Sequence, residues 1–112
     1  MKLTDKALLQ FKDWYREFEN WNYYTPHFEG FYTLPEQMQF GMVQEWADSI
    51  DYDLSVIKMN VNEYSADISI LSTSSGHPFN ILWEAEYKTR LEAQTAAIEK
   101  LNEIINEEDE SK

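Results

Sequence analysis

Three aspartates stand within the stretch DSIDYD, at Asp48, Asp51 and Asp53. Carboxylates this close suggest a hard cation, and calcium takes six to eight oxygens. The spacing does not supply such a set. Counted from Asp48, an EF-hand loop would need a central glycine and an acid at its twelfth position, where Met59 stands. Asp48 and Asp51 share one face of a helix, whereas Asp53 falls beyond a change of structure, so no metal is expected. The acids are nonetheless out of place. A helix C-terminus carries partial negative charge, and each acid there costs a few tenths of a kcal/mol.

Other residues that do chemistry are equally scattered. Glu84 and Glu86 could imitate a general acid–base pair, but nothing in the sequence builds a pocket around them. His27 and His77 each stand beside a proline, Pro26 and Pro78, in turn-like segments. The stretch STSSG lacks the Gly-x-Ser-x-Gly elbow of a serine nucleophile, and the three glycines are isolated, so no phosphate cradle forms. There is no cysteine, hence no thiolate nucleophile, disulfide or thiolate metal site. The expectation is a protein with neither enzymatic activity nor cofactor.

The elements that carry these residues read as α-α-β-β-β-α, an α+β fold. A first helix over 4–21 repeats Leu8, Phe11, Tyr15 and Phe18 along one face, with Thr4 as N-cap and a Leu3–Leu8 staple. An aromatic connector with Pro26 and Gly30 follows. The second helix spans about 34–50, opened by a capping box from Thr33 to Glu36. Phe40, Val43, Ala47 and Ile50 form its buried stripe, and Gly41 is read as a point of close backbone approach. Strands follow in YDLSVIKMNV, YSADISIL and FNILWEAEY, the first changing phase at Ile57 as a β-bulge would. Alternation places Tyr64, Ala66, Ile68 and Ile70 on one face of the second strand, and Phe79, Ile81, Trp83, Ala85 and Tyr87 on one face of the third. One covered face and one wet face are the antiparallel habit, so a three-stranded antiparallel meander with helices packed on a single face is expected. The last helix begins with a capping box from Thr89 to Glu92. Its apolar face is Leu91, Ala97, Ile98, Leu101, Ile104 and Ile105. Residues 1–106 form one domain and 107–112 an acidic, frayed tail.

Composition narrows the partners. The 112 residues carry 21 acids against nine bases, a net charge of −12. Between Glu17 and Tyr87 there are twelve acids and one base, Lys58. Such a field repels phosphate backbones and anionic membranes and attracts basic proteins. No apolar run reaches the roughly 18 residues of a membrane span, and the opening MKLTDKALLQ has no signal-peptide core, so a cytoplasmic location is expected. Residues 11–32 hold ten aromatics, most of them expected in the core, with Tyr23 and Tyr24 as candidate interface anchors.

The segments FKDWY, FYTLPEQMQFGMVQEWADSI and TRLEAQTAAIEKLNEI together resemble small, mostly uncharacterised proteins of phages and prophages of Bacteroidetes-like bacteria. The resemblance lies in helix starts, aromatics and caps, and implies an origin rather than an activity. Small accessory phage proteins that counter host defence, anti-CRISPR proteins among them, are often acidic, and the resemblance implies a protein of that kind.

The wet face of the sheet adds a physical argument. If Ile68 faces Trp83 and Ile70 faces Ile81, then Asp67 faces Glu84 and Ser65 faces Glu86, with Asp53 on the same side. Like charges directly opposite are destabilising, and only Lys58, turned there by the bulge, would relieve them. Such a surface is either solubilising charge or one kept to resemble a polyanion. The sequence is therefore read as a non-enzymatic accessory protein that binds and blocks a basic, nucleic-acid-binding host protein, in its most concrete form a CRISPR effector. The expected partner-binding residues are Glu45, Asp48, Asp51, Asp53, Asp67, Glu84 and Glu86, with Tyr23 and Tyr24. The alternative is a small-ligand binder or minor enzyme with the aromatic connector 21–32 as a pocket wall.

Overall fold

A computed structural model of the chain describes residues 3–21, 28–71 and 79–108. The expected order is present: α1 (Asp5–Trp21), a 3-10 segment (Phe28–Thr33), α2 (Glu36–Ser49), β1 (Tyr52–Asn60), β2 (Glu63–Leu71), β3 (Phe79–Tyr87) and α3 (Arg90–Glu108). The strands form one antiparallel sheet in the order β1-β2-β3. Tyr23, Tyr24, His27, His77, the stretch 72–78 expected to turn, and residues 109–112 lie outside the described residues. Helix α3 runs to Glu108, two residues beyond the expected domain end at 106.

The helices stack on one side of the sheet in two layers. Helix α3 crosses the middle strand and touches all three, α2 lies over β1, and α1 packs chiefly on α3 and α2. The periodicity explains the arrangement. Leu3, Ala7, Phe11 and Tyr15 recur every fourth residue, and all are buried against the helix layer below. From α3 come Ala93, Ala97, Ile98, Leu101 and Ile105, which close over Leu54, Ala66 and Ile68 of the sheet. Leu91, expected on that face, instead stands 46 % exposed.

The buried aromatics seal the layers. Phe11 sits 5.0 Å from Phe31 and 5.4 Å from Trp46, ring centre to ring centre, and Tyr15 lies 5.8 Å from Phe31. These edge-on contacts are the geometry that ring quadrupoles prefer. Trp46 belongs to the α2 stripe, three residues after Val43 and four before Ile50, and is 1 % exposed. The side chain of Phe18 lies outside the described ones.

Helix termini depart from expectation in two places. Ala7 N–H donates to Asn106 Oδ1 at 2.9 Å, and Asn102 and Asn106 both donate to the Thr4 hydroxyl, at 3.1 and 3.2 Å. The start of α1 is thus capped by two asparagines one turn apart on α3, with Thr4 bound to them. At α2 the Thr33–Glu36 box does not form. The Thr33 hydroxyl donates to Gly30 O at 2.6 Å, and Pro35 takes the N-cap position without a side-chain cap. Gln39 is buried and donates from Nε2 to Leu34 O at 2.8 Å and Tyr32 O at 3.2 Å, fastening the 3-10 segment to α2. The Thr89 cap is made as expected, with Glu92 N–H on its hydroxyl at 3.2 Å. Gly41 meets no close neighbour, since a β-carbon added there would find no atom within 4 Å.

Candidate functional site: the outer face of the sheet

The register decides which side chains share the wet face. Asp67 pairs with Glu84 and Ser65 with Glu86, as the alternation requires, and Ile68 pairs with Trp83. Beyond that point β3 carries a bulge. Ser69 pairs with Ile81 and Ile70 with Asn80, leaving Leu82 as the extra residue. Ile81 is therefore not opposite Ile70 on the covered face. It lies opposite Ser69 on the outer face, 64 % exposed, and so is not a core residue.

Strand β1 holds its phase longer than expected. The irregularity falls between Lys58 and Asn60 rather than at Ile57, and Lys58 pairs with Tyr64. Lys58 thus stays in phase with Tyr52, Leu54 and Val56 on the helix side and does not relieve the outer face. Ile57 goes to that face instead, 52 % exposed. Read across the sheet, the outer face has three rows: Asp53, Ser69, Ile81; then Ser55, Asp67, Glu84; then Ile57, Ser65, Glu86. No lysine or arginine occupies a strand position on it.

Asp67 is the centre of this face. Glu84 is directly opposite, and Asp53 and Glu86 are its diagonal neighbours, within reach across a pleated sheet. Burial pushes its carboxyl above the ordinary 3.8, and the charges of Asp53 and Glu84 push in the same direction. All three causes disfavour its charge, and a cation at this position would reverse two of them.

The remaining acids of the expected partner-binding set are elsewhere. Glu45 and Asp48 are exposed on α2, in the helix layer on the other side of the sheet. Asp51 has a local task. Its φ of 69° places it in the left-handed region just past the α2 C-cap Ile50, and its N–H donates to Asp48 O at 3.2 Å. This is the position glycine usually takes at a helix end, and Asp is among the few side chains that tolerate it. Helix geometry accounts for Asp51, and strand phase carries Asp53 to the outer face. Among the described residues no three acids or histidines converge in a way that could hold a metal ion.

Of the aromatic connector, Phe31 is buried in the core and Tyr32 is half-exposed. Burial raises the Tyr32 phenol above its ordinary value, partly offset by a hydrogen bond with the Leu3 backbone. Elsewhere, an open hollow of about 480 Å³ lies where β3 meets α3, lined by Tyr87, Leu91, Glu92, Thr95, Ala96 and Glu99. None of these residues was singled out for binding by the sequence. No described helix is long and apolar enough to cross a membrane. Comparison with protein-family models, curated proteins and solved structures finds no match.

Proposed function

We propose that this protein is a non-enzymatic binding protein whose outer sheet face docks on a basic surface of a nucleic-acid-binding protein and blocks it. One observation carries the reading. Asp67 is held at the centre of a face shared with Asp53, Glu84 and Glu86, where its charge is opposed by partial burial and by two neighbours, with no lysine or arginine at a strand position of that face. A fold gains nothing from this arrangement, whereas a cationic partner would be drawn to it. The exposed Ile57 and Ile81 on the same face supply apolar contact that a purely solubilising surface has no use for. They favour a protein partner with aliphatic as well as cationic side chains. Its most specific form is a phage-type accessory protein occupying the nucleic-acid groove of a host defence effector such as a CRISPR nuclease.

The test is a comparison of the wild type with the double substitution Asp67→Asn/Glu84→Gln. Each immobilised protein is offered a bacterial lysate at low and at high salt, and a captured nuclease is then assayed for cleavage with and without the protein. Basic nucleic-acid-binding proteins should be retained by the wild type, released by salt, inhibited, and retained far less by the double variant. Equal retention and inhibition by both proteins would remove the outer face from the function.

A further inference from the structure

The helix layer covers the sheet unevenly. Helix α3 lies centrally over β2, and α2 fills the position beside it over β1. On the β3 side of α3 no described helix takes the corresponding position. The consequence is visible in burial. On the inner face of β1 and β2, Tyr52, Leu54, Ala66 and Ile68 are buried, with Val56, Tyr64 and Ile70 half-buried around them, whereas on the inner face of β3 Trp83, Ala85 and Tyr87 are all only half-buried. The hollow between α3 and the end of β3 is the open part of that position. Its floor is apolar, from Tyr87, Leu91 and Ala96, and Glu92 and Glu99 stand along it seven residues apart, about 10 Å on a helix.

We propose that this hollow seats an amphipathic, basic helix of a partner protein, in the place where α2 sits on the opposite side of α3. Shape and charge select the occupant. The hollow is open rather than enclosed, so it would leave a small molecule largely in water, whereas a helix laid along α3 buries two or three apolar side chains against the floor. Lysines or arginines flanking that stripe meet Glu92 and Glu99. A second copy of this chain is disfavoured by the same charges, because helix-to-helix pairing would set Glu92 and Glu99 against their counterparts between two molecules of net charge −12. The surface is on the other side of the sheet from Asp67 and does not depend on the function proposed for that face.

The probe is an 18-residue helical peptide of leucine and lysine with leucines at i, i+3 and i+4, followed by shifts of the protein's backbone amide resonances. A peptide of the same composition in scrambled order is the control for unspecific attraction. The amphipathic peptide should perturb residues 87–99 and bind at least tenfold tighter than the scrambled one. Leu91→Asp should weaken it at least tenfold despite adding a negative charge, and Leu91 is exposed enough for the substitution to leave the fold intact. Glu92→Gln/Glu99→Gln should weaken binding and flatten its salt dependence, while Asp67→Asn/Glu84→Gln should leave it within twofold. Equal binding of the scrambled peptide, or shifts centred on the outer sheet face, would overturn the proposal. So would a concentration-dependent dimer of the protein whose shifts map to 87–99, which would make the occupant a second copy.

Discussion

At Asp67 a single carboxyl reports on the whole outer face. Its folded-state pKa is raised, first by burial and then by Asp53 and Glu84, so the fold holds its proton more tightly than the unfolded chain does. Near neutral pH the charge opposes folding, and that opposition is relieved as pH falls through the raised folded value towards the ordinary 3.8. Asp67→Asn should therefore stabilise the isolated protein at pH 7 by roughly 0.2–1 kcal/mol, a range that allows for solvent screening of a partly exposed site. The gain should shrink towards zero in urea titrations near pH 4. A constant gain across that range would mean that something other than the charge is responsible. Asp51 makes the complementary case, because its conformation and not its charge explains it. Asp51→Gly should stabilise by up to about 1 kcal/mol, since left-handed backbone costs an ordinary residue about 1–2 kcal/mol and glycine returns part of that as unfolded-state entropy. The acids at the end of α2 were legible in the sequence as an anomaly. What resolves Asp51 is a backbone angle, which residue types do not specify when glycine is absent.

Elements with one dominant period are legible in the spacing of their apolar residues, whereas the exact positions of their irregularities are not. The order of helices and strands followed from apolar spacing, as did the pairing of Asp67 with Glu84. The bulge at Leu82 left no trace, because Phe79, Ile81 and Trp83 alternate as if the strand were regular, yet it moves Ile81 to the outer face. The α2 cap failed for a related reason: Thr33 has two possible partners and closes the 3-10 turn onto Gly30 instead. Long-range caps are harder still to read, since Asn102 and Asn106 show their purpose only when α3 meets α1. Asn106→Ala should cost about 1 kcal/mol, the usual loss for a helix N-cap, and should remove hydrogen-exchange protection from the Ala7 amide. If that amide stays protected, another group caps α1. Gly41 points the opposite way. With open space around it in mid-helix, Gly41→Ala should raise stability by about 1 kcal/mol in a denaturant titration, and a loss would show that a neighbour does approach α2 there.

For the whole molecule, the dominant quantity is a net charge of −12 on a fold 39 × 36 × 24 Å in extent. Charges confined to that volume repel one another at distances beyond the Debye length of dilute buffer only weakly, but those on one sheet face lie well inside it. Compactness therefore works against this protein's own electrostatics, and salt should help the fold while it hinders binding to a cationic partner. Raising NaCl from 10 to about 300 mM shortens the screening length from about 30 Å to well under 10 Å, and the melting temperature should rise over that interval. The same increment should weaken capture of any partner held by the outer face. Calcium separates this general screening from a site. A specific ion at a hundredfold excess over its dissociation constant adds about 2.7 kcal/mol, whereas screening depends only on ionic strength. Because Asp51 is committed to the end of α2 and Asp53 points from the outer face of β1, millimolar calcium at constant ionic strength should leave the melting temperature where NaCl alone sets it. A rise of several degrees under those conditions, reversed by chelator, would require Asp48, Asp51 and Asp53 to converge on one ion, and would return the chemistry of this chain to the stretch where its acids first crowd together.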